Sequence, residues 1–166
     1  MKFLFVIPRL KSQYGRKSLT VSPHLGIAYL CAFLKKNGIE VKIYDDGIEN
    51  NVSELPKLRK EFNPDAIGMT VYSYCYNYAR DLAKAVQSVF NAPLVFGGPH
   101  INIIKGRILT DAKADFAIKH EGEHSLLELL REIESKRGGF ERIRGLIWKD
   151  DTGSIVENSD RPFLED

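Results

Sequence analysis

Five short apolar runs alternate along this chain with segments of helical periodicity, and that rhythm constrains the fold more than any other feature. The runs are residues 3–7, 41–44, 66–71, 94–96 and 116–118. The first, third and fourth are nearly continuous in apolar residues, as parallel strands covered on both faces must be. A βαβαβ rhythm of this kind argues for a doubly wound α/β sheet with right-handed crossovers. Between the runs, residues 25–36 are apolar over much of a helical circumference and stop at Asn37-Gly38, a good helix end. Ser53 is placed to cap a second helix carrying Leu55, Leu58 and Phe62. Ala79, Leu82, Ala83, Val86 and Phe90 have helical spacing, and a weaker helix is expected over residues 104–111. Ser125-Leu-Leu-Glu128 reads as a capping box before Leu129, Leu130 and Ile133. After Gly139, residues 142–148 and 154–157 flank an Asp- and Gly-rich turn, the signal of a β-hairpin. Residues 158–166 are polar, contain Pro162 and show no period, so they read as a linker.

At 166 residues, with 43% hydrophobic and 28% charged residues, the chain suits one domain with a real core. Its net charge of +2 gives no electrostatic footprint for nucleic acid. No apolar run is long enough to span a bilayer, and residues 1–8 are too short for a signal peptide and read as a first strand. Cys31 and Cys75 lie far apart in apolar segments without a CxxC, which points to buried free thiols and a cytoplasmic setting.

In open α/β sheets, ligands bind at the carboxyl ends of the strands. There, the run at residues 94–96 stops in Gly97-Gly98, a turn without side chains that lets a ligand approach the backbone. After the first strand comes a long loop with Arg9, Lys11, Arg16 and Lys17, readable as a solvated loop or as a lid or phosphate clamp. It leads into Pro23-His24-Leu25-Gly26, where a helix N-terminus can receive an anion or a polar group. Beyond the third strand, Tyr72, Tyr74, Tyr76 and Tyr78 alternate, and alternating rings cannot all face inward, so some can face a ligand. After the fifth strand, His120-Glu-Gly-Glu-His124 brings two imidazoles and two carboxylates to a helix start. Its acidic residues also suit the helix dipole, and the spacing lacks metal-ligand geometry. No GxSxG, P-loop or GxGxxG is present. A phosphoacceptor Asp is absent from the end of the third strand, where Thr70-Val71 stands, while Asp45 and Asp46 end the second. A flavodoxin-type FMN site would need a Ser/Thr-rich phosphate loop directly after the first strand, and Ser18 and Thr20 lie too far along.

The order and spacing of these motifs resemble the N-terminal cobalamin-binding domain of B12-dependent radical SAM proteins. The residues that carry the resemblance are Pro23-His-Leu-Gly-Ile-Ala-Tyr-Leu30, Val41-Lys-Ile-Tyr-Asp45, Ala66-Ile-Gly-Met-Thr70, Phe96-Gly-Gly-Pro-His100 and His120-Glu-Gly-Glu123. Gly145-Leu-Ile-Trp148 and Arg161-Pro-Phe-Leu-Glu-Asp166 resemble the family's approach to the radical SAM barrel, so the likeness covers nearly the whole chain. It implies a flavodoxin-like sheet of strand order 2-1-3-4-5 with cobalamin across the carboxyl ends. Carried over by position, Pro23, His24, Leu25 and Gly26 would surround the corrin or its nucleotide tail. Thr70, Val71, Tyr72 and Ser73 would join them, with Gly97, Gly98, Pro99 and His100. Glu121 and Gly122 would line the neighbouring wall. The chain would divide into a cobalamin-binding-like layer over residues 1–138, a hairpin extension over 139–158 and a linker over 159–166.

Two departures from related families matter. The Asp-x-His-x-x-Gly motif that ligates cobalt in methionine synthase and the mutases is absent. His24, where the family often has Pro, is readable as a ligand or as a polar loop residue. The Cys-x-x-x-Cys-x-x-Cys of a 4Fe–4S cluster is also absent. The expectation is therefore a non-catalytic cobalamin module, working with a radical SAM barrel that holds S-adenosylmethionine and the cluster. The alternative is the same fold serving as an interaction domain without cobalamin.

Overall fold

The structure, a computed structural model, describes residues 1–9, 24–49 and 52–162. Seven strands form one sheet: β1 (Lys2–Ile7), β2 (Glu40–Asp45), β3 (Ala66–Thr70), β4 (Leu94–Gly97), β5 (Phe116–Ile118), β6 (Leu146–Lys149) and β7 (Ile155–Glu157). Their order is β2-β1-β3-β4-β5-β6-β7. The first five strands are parallel, in the expected order 2-1-3-4-5, and β6 and β7 add antiparallel as a hairpin on β5. The helices are α1 (Leu25–Lys36), α2 (Asp46–Glu49), α3 (Leu55–Phe62), α4 (Tyr76–Val89), α5 (Ile101–Ile104), α6 (Arg107–Asp111) and α7 (Glu123–Ser135).

The two-residue period of the strands sorts the core into two layers. Leu4, Val6, Ile67, Met69, Leu94 and Phe96 pack with α3, α4 and the α5–α6 segment. Phe3, Phe5, Val95, Phe116 and Ile118 pack with α1 and α7. Register fixes what stands side by side on this second face, for Gly68 pairs with Phe5 on one side and Val95 on the other, and Val95 pairs with Phe116. A Cβ at Gly68 would meet the Phe3 ring at 2.6 Å, so the glycine makes room for the edge-to-face pair Phe3–Phe5.

Several local expectations give way to tertiary contacts. Gly122, not Ser125, stands at the N-cap of α7, and the buried Ser125 hydroxyl donates to the Arg144 carbonyl at 2.7 Å. That distant partner outcompetes the local capping box. The helix expected behind Ser53 is entered through a 3-10 turn, Val52–Glu54, with Glu54 at its N-cap. The helix expected over residues 104–111 is two short helices, because the chain reverses at Lys105, whose φ is +47°. Cys31 and Cys75 are buried free thiols, as expected. Among the described residues, no helix is long and apolar enough to cross a membrane.

Candidate cofactor site

At the carboxyl ends of β3, β4 and β5, the α1/α7 face of the sheet opens into a cavity of about 280 Å3. Its floor is apolar: Phe3, Phe5, Gly68 and Val95 from the sheet, Ile27 and Leu30 from α1, and Leu126 from α7. Its mouth carries most of the residues singled out in the sequence. His24 and Gly26 stand on the α1 side, Thr70 ends β3 with Tyr72 beyond it, Gly97 ends β4 with Gly98 and Pro99 beyond it, and Gly122 stands before α7.

The two adjacent glycines have different tasks. A Cβ on Gly97 would meet nothing within 4 Å, so its bare backbone is open space at the mouth. Gly98 has φ +99°, and a Cβ there would lie 2.7 Å from Thr70 Oγ1 and 2.8 Å from the Val71 carbonyl. Only glycine fits that turn. Val71 is buried away from the cavity and shapes the mouth through its backbone. Its N–H donates to the Gly97 carbonyl at 2.9 Å, and its carbonyl accepts from the His100 N–H at 3.2 Å.

The remaining expected residues stand outside the cavity. Ser73 and His100 bond to each other on the rim, Oγ to Nδ1 at 2.9 Å, with the His100 ring 4.8 Å from that of Tyr76. Burial holds the His100 imidazole below its ordinary pKa. Leu25 and Glu121 are exposed. Pro23 lies outside the described residues, as do Lys11, Arg16 and Lys17 of the first loop.

The tyrosine row divides because the chain turns helical at Tyr76 instead of continuing a two-residue period. Tyr72 lines the cavity wall and stacks on the exposed Tyr74, with ring centroids 5.5 Å apart. Tyr76 donates to Asp111 at 2.6 Å. Tyr78 donates to the fully buried Asp46 at 2.5 Å, while Arg9 pairs with Asp46 at 3.1 Å and stacks over the Tyr78 ring. Burial, then the carboxylate partner, pushes the phenols of Tyr76 and Tyr78 up to about 12.

The expected site residues left out the deep walls and two polar groups at the mouth, His120 and Glu123, although both belong to the His120–His124 stretch singled out in the sequence. The deep walls had a signal: Gly68 in mid-strand, sharing strand parity with Gly97 and with the Phe3 and Phe5 rows. Glu123 Oε2 is buried and has no hydrogen-bond partner among the described residues. An unpaired buried acceptor is costly unless a donor arrives. Among the described residues, no group of three or more His, Cys, Asp or Glu side chains is placed to hold a metal ion.

A parallel open sheet with an apolar slot and a glycine turn at its carboxyl edge is a cofactor-binding architecture. The family is settled by a match of residues 13–130 to the B12 binding domain model. The chain belongs to the B12-binding domain family. It is 30% identical, over 99% of its length, to an uncharacterized methyltransferase of Pyrococcus horikoshii, of which it covers 36%. It is 29% identical over its full length to the anaerobic magnesium-protoporphyrin IX monomethyl ester cyclase of Cereibacter sphaeroides, of which it covers 28%. The chain therefore spans about a third of these relatives. Its fold matches TsrM of Kitasatospora setae, a radical S-adenosylmethionine methyltransferase solved with cobalamin and a [4Fe-4S] cluster. That match has a TM-score of 0.82 at 20% identity and covers 99% of this chain and 30% of the other.

The residues present fit the cofactor of the family. Cobalamin combines a flat apolar ring system with a rim of amide side chains and a nucleotide tail. The slot offers aromatic and aliphatic walls, the bare Gly97 and Gly26 offer close backbone approach, and the unpartnered Glu123 Oε2 offers an acceptor for an N–H or O–H.

Proposed function

We propose that this chain seats cobalamin at the carboxyl edge of its sheet and presents it to a radical SAM domain of the same protein. The observation that carries this reading is the slot beneath Gly97, apolar in depth and ringed by polar groups only at its mouth. Phe3, Phe5 and Leu126 would enclose the tail of the cofactor. Gly97, Gly26 and Gly122 would admit it to the backbone, and Thr70 and Glu123 would hydrogen-bond to it. His24, Leu25, Tyr72, Ser73, Pro99, His100 and Glu121 would border the corrin. Pro23, Val71 and Gly98 would shape the loops that hold these groups. Bound cobalamin supplies a cobalt centre able to carry and transfer an alkyl group. The chain's own residues bind and orient it and catalyse nothing alone.

The proposed partner domain would hold S-adenosylmethionine and the 4Fe–4S cluster. Ile48, Tyr74 and Ile103 support it, for each is an exposed large apolar residue soon after β2, β3 or β4, and Leu25, at the start of α1, is exposed too. They follow the carboxyl ends of strands, the edge on which the cavity opens, and the relatives have about two-thirds of their length left over to cover it. Residues 1–138 would form the cofactor layer, 139–158 a hairpin that widens the sheet, and 159–166 the exit toward that domain. Methyl transfer, or a related radical reaction in the cytoplasm, is the activity this arrangement would serve. The interaction-domain alternative, which the missing axial His permits, is less favoured because Tyr72 lines the slot against Tyr74 and does not fill it.

A visible-absorbance titration with hydroxocobalamin, followed by desalting, tests the reading. Corrin that stays with the protein, with the spectrum of displaced dimethylbenzimidazole, is the expected result. A colourless protein after desalting refutes it.

A further inference from the structure

The stretch after β7 has the composition of a linker but not the contacts of one. Gly145 donates its N–H to the Ser159 carbonyl at 2.8 Å, and the Asn158 N–H donates to the Leu146 carbonyl at 2.9 Å. The Asn158 amide also donates to the carbonyls of Phe140 and Ile143, at 2.7 and 2.8 Å, and accepts from the Trp148 indole. Residues 158–161 thus cross the end of β5 in one fixed path. There Asp160 pairs with Lys119, and its Oδ1 lies 3.6 Å from His120 Nε2. Arg161 then donates to Ser125 Oγ at 3.0 Å and pairs with Glu128 on α7.

Lys119 is only 5% exposed, and its ammonium also donates to Glu157 at 2.8 Å and to the Asn158 carbonyl at 3.3 Å. Glu157 holds Lys105 as well, at 3.2 Å. Directly after Lys119, His120 takes φ +57°, a left-handed conformation that a non-glycine residue holds only when its surroundings impose it. Two contacts flank it: Asn102 accepts the His120 N–H at 3.0 Å on one side, and Asp160 faces its ring on the other. The same His120 and Gly122 are wall residues of the cavity.

We infer that residues 158–161 are a strap that holds the wall at residues 120–122 in its binding geometry, with Asp160 as the positioning residue. The inference rests on the cobalamin reading of the cavity. Asp160 touches no cofactor. It fixes Lys119 and His120 on either side of the peptide whose conformation sets where the wall stands. Because the strap and the cavity share that wall, an occupant must in turn steady the strap, as linkage requires.

The test compares wild type with Asp160→Asn and the conservative Asp160→Glu. Three readouts are needed: the off-rate of bound hydroxocobalamin, amide hydrogen exchange over residues 119–125, and the melting temperature of the unloaded protein. Asp160→Asn is expected to release corrin roughly tenfold faster, equivalent to about 1.4 kcal/mol. It should speed exchange at the wall with the melting temperature within about 2 °C of wild type, less than ~1 kcal/mol would move it. Asp160→Glu is expected to restore most of the retention. Hydroxocobalamin should slow exchange of residues 158–161 in the wild type. Equal off-rates and equal exchange in wild type and Asp160→Asn overturn the strap and leave the cobalamin reading standing. A faster off-rate matched by a lowered melting temperature overturns it in favour of a folding effect. A wild type that retains no corrin overturns the cobalamin reading, and the role given to the strap with it.

Discussion

One sheet presents two faces of opposite character. On the α3/α4 side, Val6, Met69 and Phe96 stand in one row across three strands and close the core completely. On the α1/α7 side, the corresponding rows hold Phe5, Gly68 and Val95, and then Thr70 and Gly97, and the core gapes into a cavity. The strands are the same, and only the parity differs. A glycine at the middle of β3 and another at the last step of β4 turn a packed layer into a slot. The lesson is that the candidate site is a gap in the core's own rows. It lies in one face of the core, while the other face supplies the rigidity that keeps the gap from collapsing.

That contrast can be broken by substitution. Truncating the closed face should cost most: Phe96→Ala leaves a void in the packed core and should lose about 3–5 kcal/mol in urea denaturation. A loss below ~1 kcal/mol would show that this face is as loose as the other. Next come the two glycines. Gly98→Ala forces a Cβ against Thr70 and Val71 at positive φ and should cost about 3 kcal/mol. Gly97→Leu should leave stability within ~0.5 kcal/mol but weaken hydroxocobalamin binding about a hundredfold by filling the mouth. If both variants lose stability alike, the division of labour between these neighbours is wrong.

A smaller effect is expected at Glu123. Removing its buried unpaired oxygen with Glu123→Leu should hold or raise stability while corrin affinity falls about tenfold. A stability loss above ~1 kcal/mol would mean that the carboxylate serves the fold and not a ligand. An effect confined to high pH belongs to the closed face. Tyr76 and Tyr78 titrate near 12 in the folded protein against 10 for free tyrosine, so between those values the folded state keeps protons that the unfolded state has released. Their stabilising contribution is whole below pH 10 and drains away as pH rises through about 12. Urea midpoints of wild type and the Tyr76→Phe/Tyr78→Phe double variant should converge over that window, and parallel curves would remove the linkage.

Much of the architecture was legible in the chain. The five parallel strands fall within a residue or two of the apolar runs: β1, β3, β4 and β5 are buried on both faces and so apolar almost throughout, while the half-exposed edge strand β2 shows only a short run. Gly97-Gly98 was equally readable, since side-chain-free backbone at a strand end has few other uses. Motifs that compete with distant groups were not readable. Ser125 looked like a cap but is held by Arg144 and Arg161. The tyrosines looked like a strand row, but Tyr76 and Tyr78 sit on α4 and serve Asp111 and Asp46.

Local composition and period pointed to a doubly wound sheet whose fourth strand ends in Gly97-Gly98, and the family resemblance added the expectation of a ligand edge at residues 70–73, 97–100 and 121–122. Those signals are written in consecutive residues, and backbone geometry allows few alternatives. Only the tertiary structure decided which glycine opens the slot and which makes the turn. It also decided that Glu123 and not Glu121 stands at the mouth, and that a polar tail is a strap. Each of those depends on register between strands and on charges brought together from far apart in the chain. No local pattern encodes such a meeting, because its energy exists only once the sheet has formed.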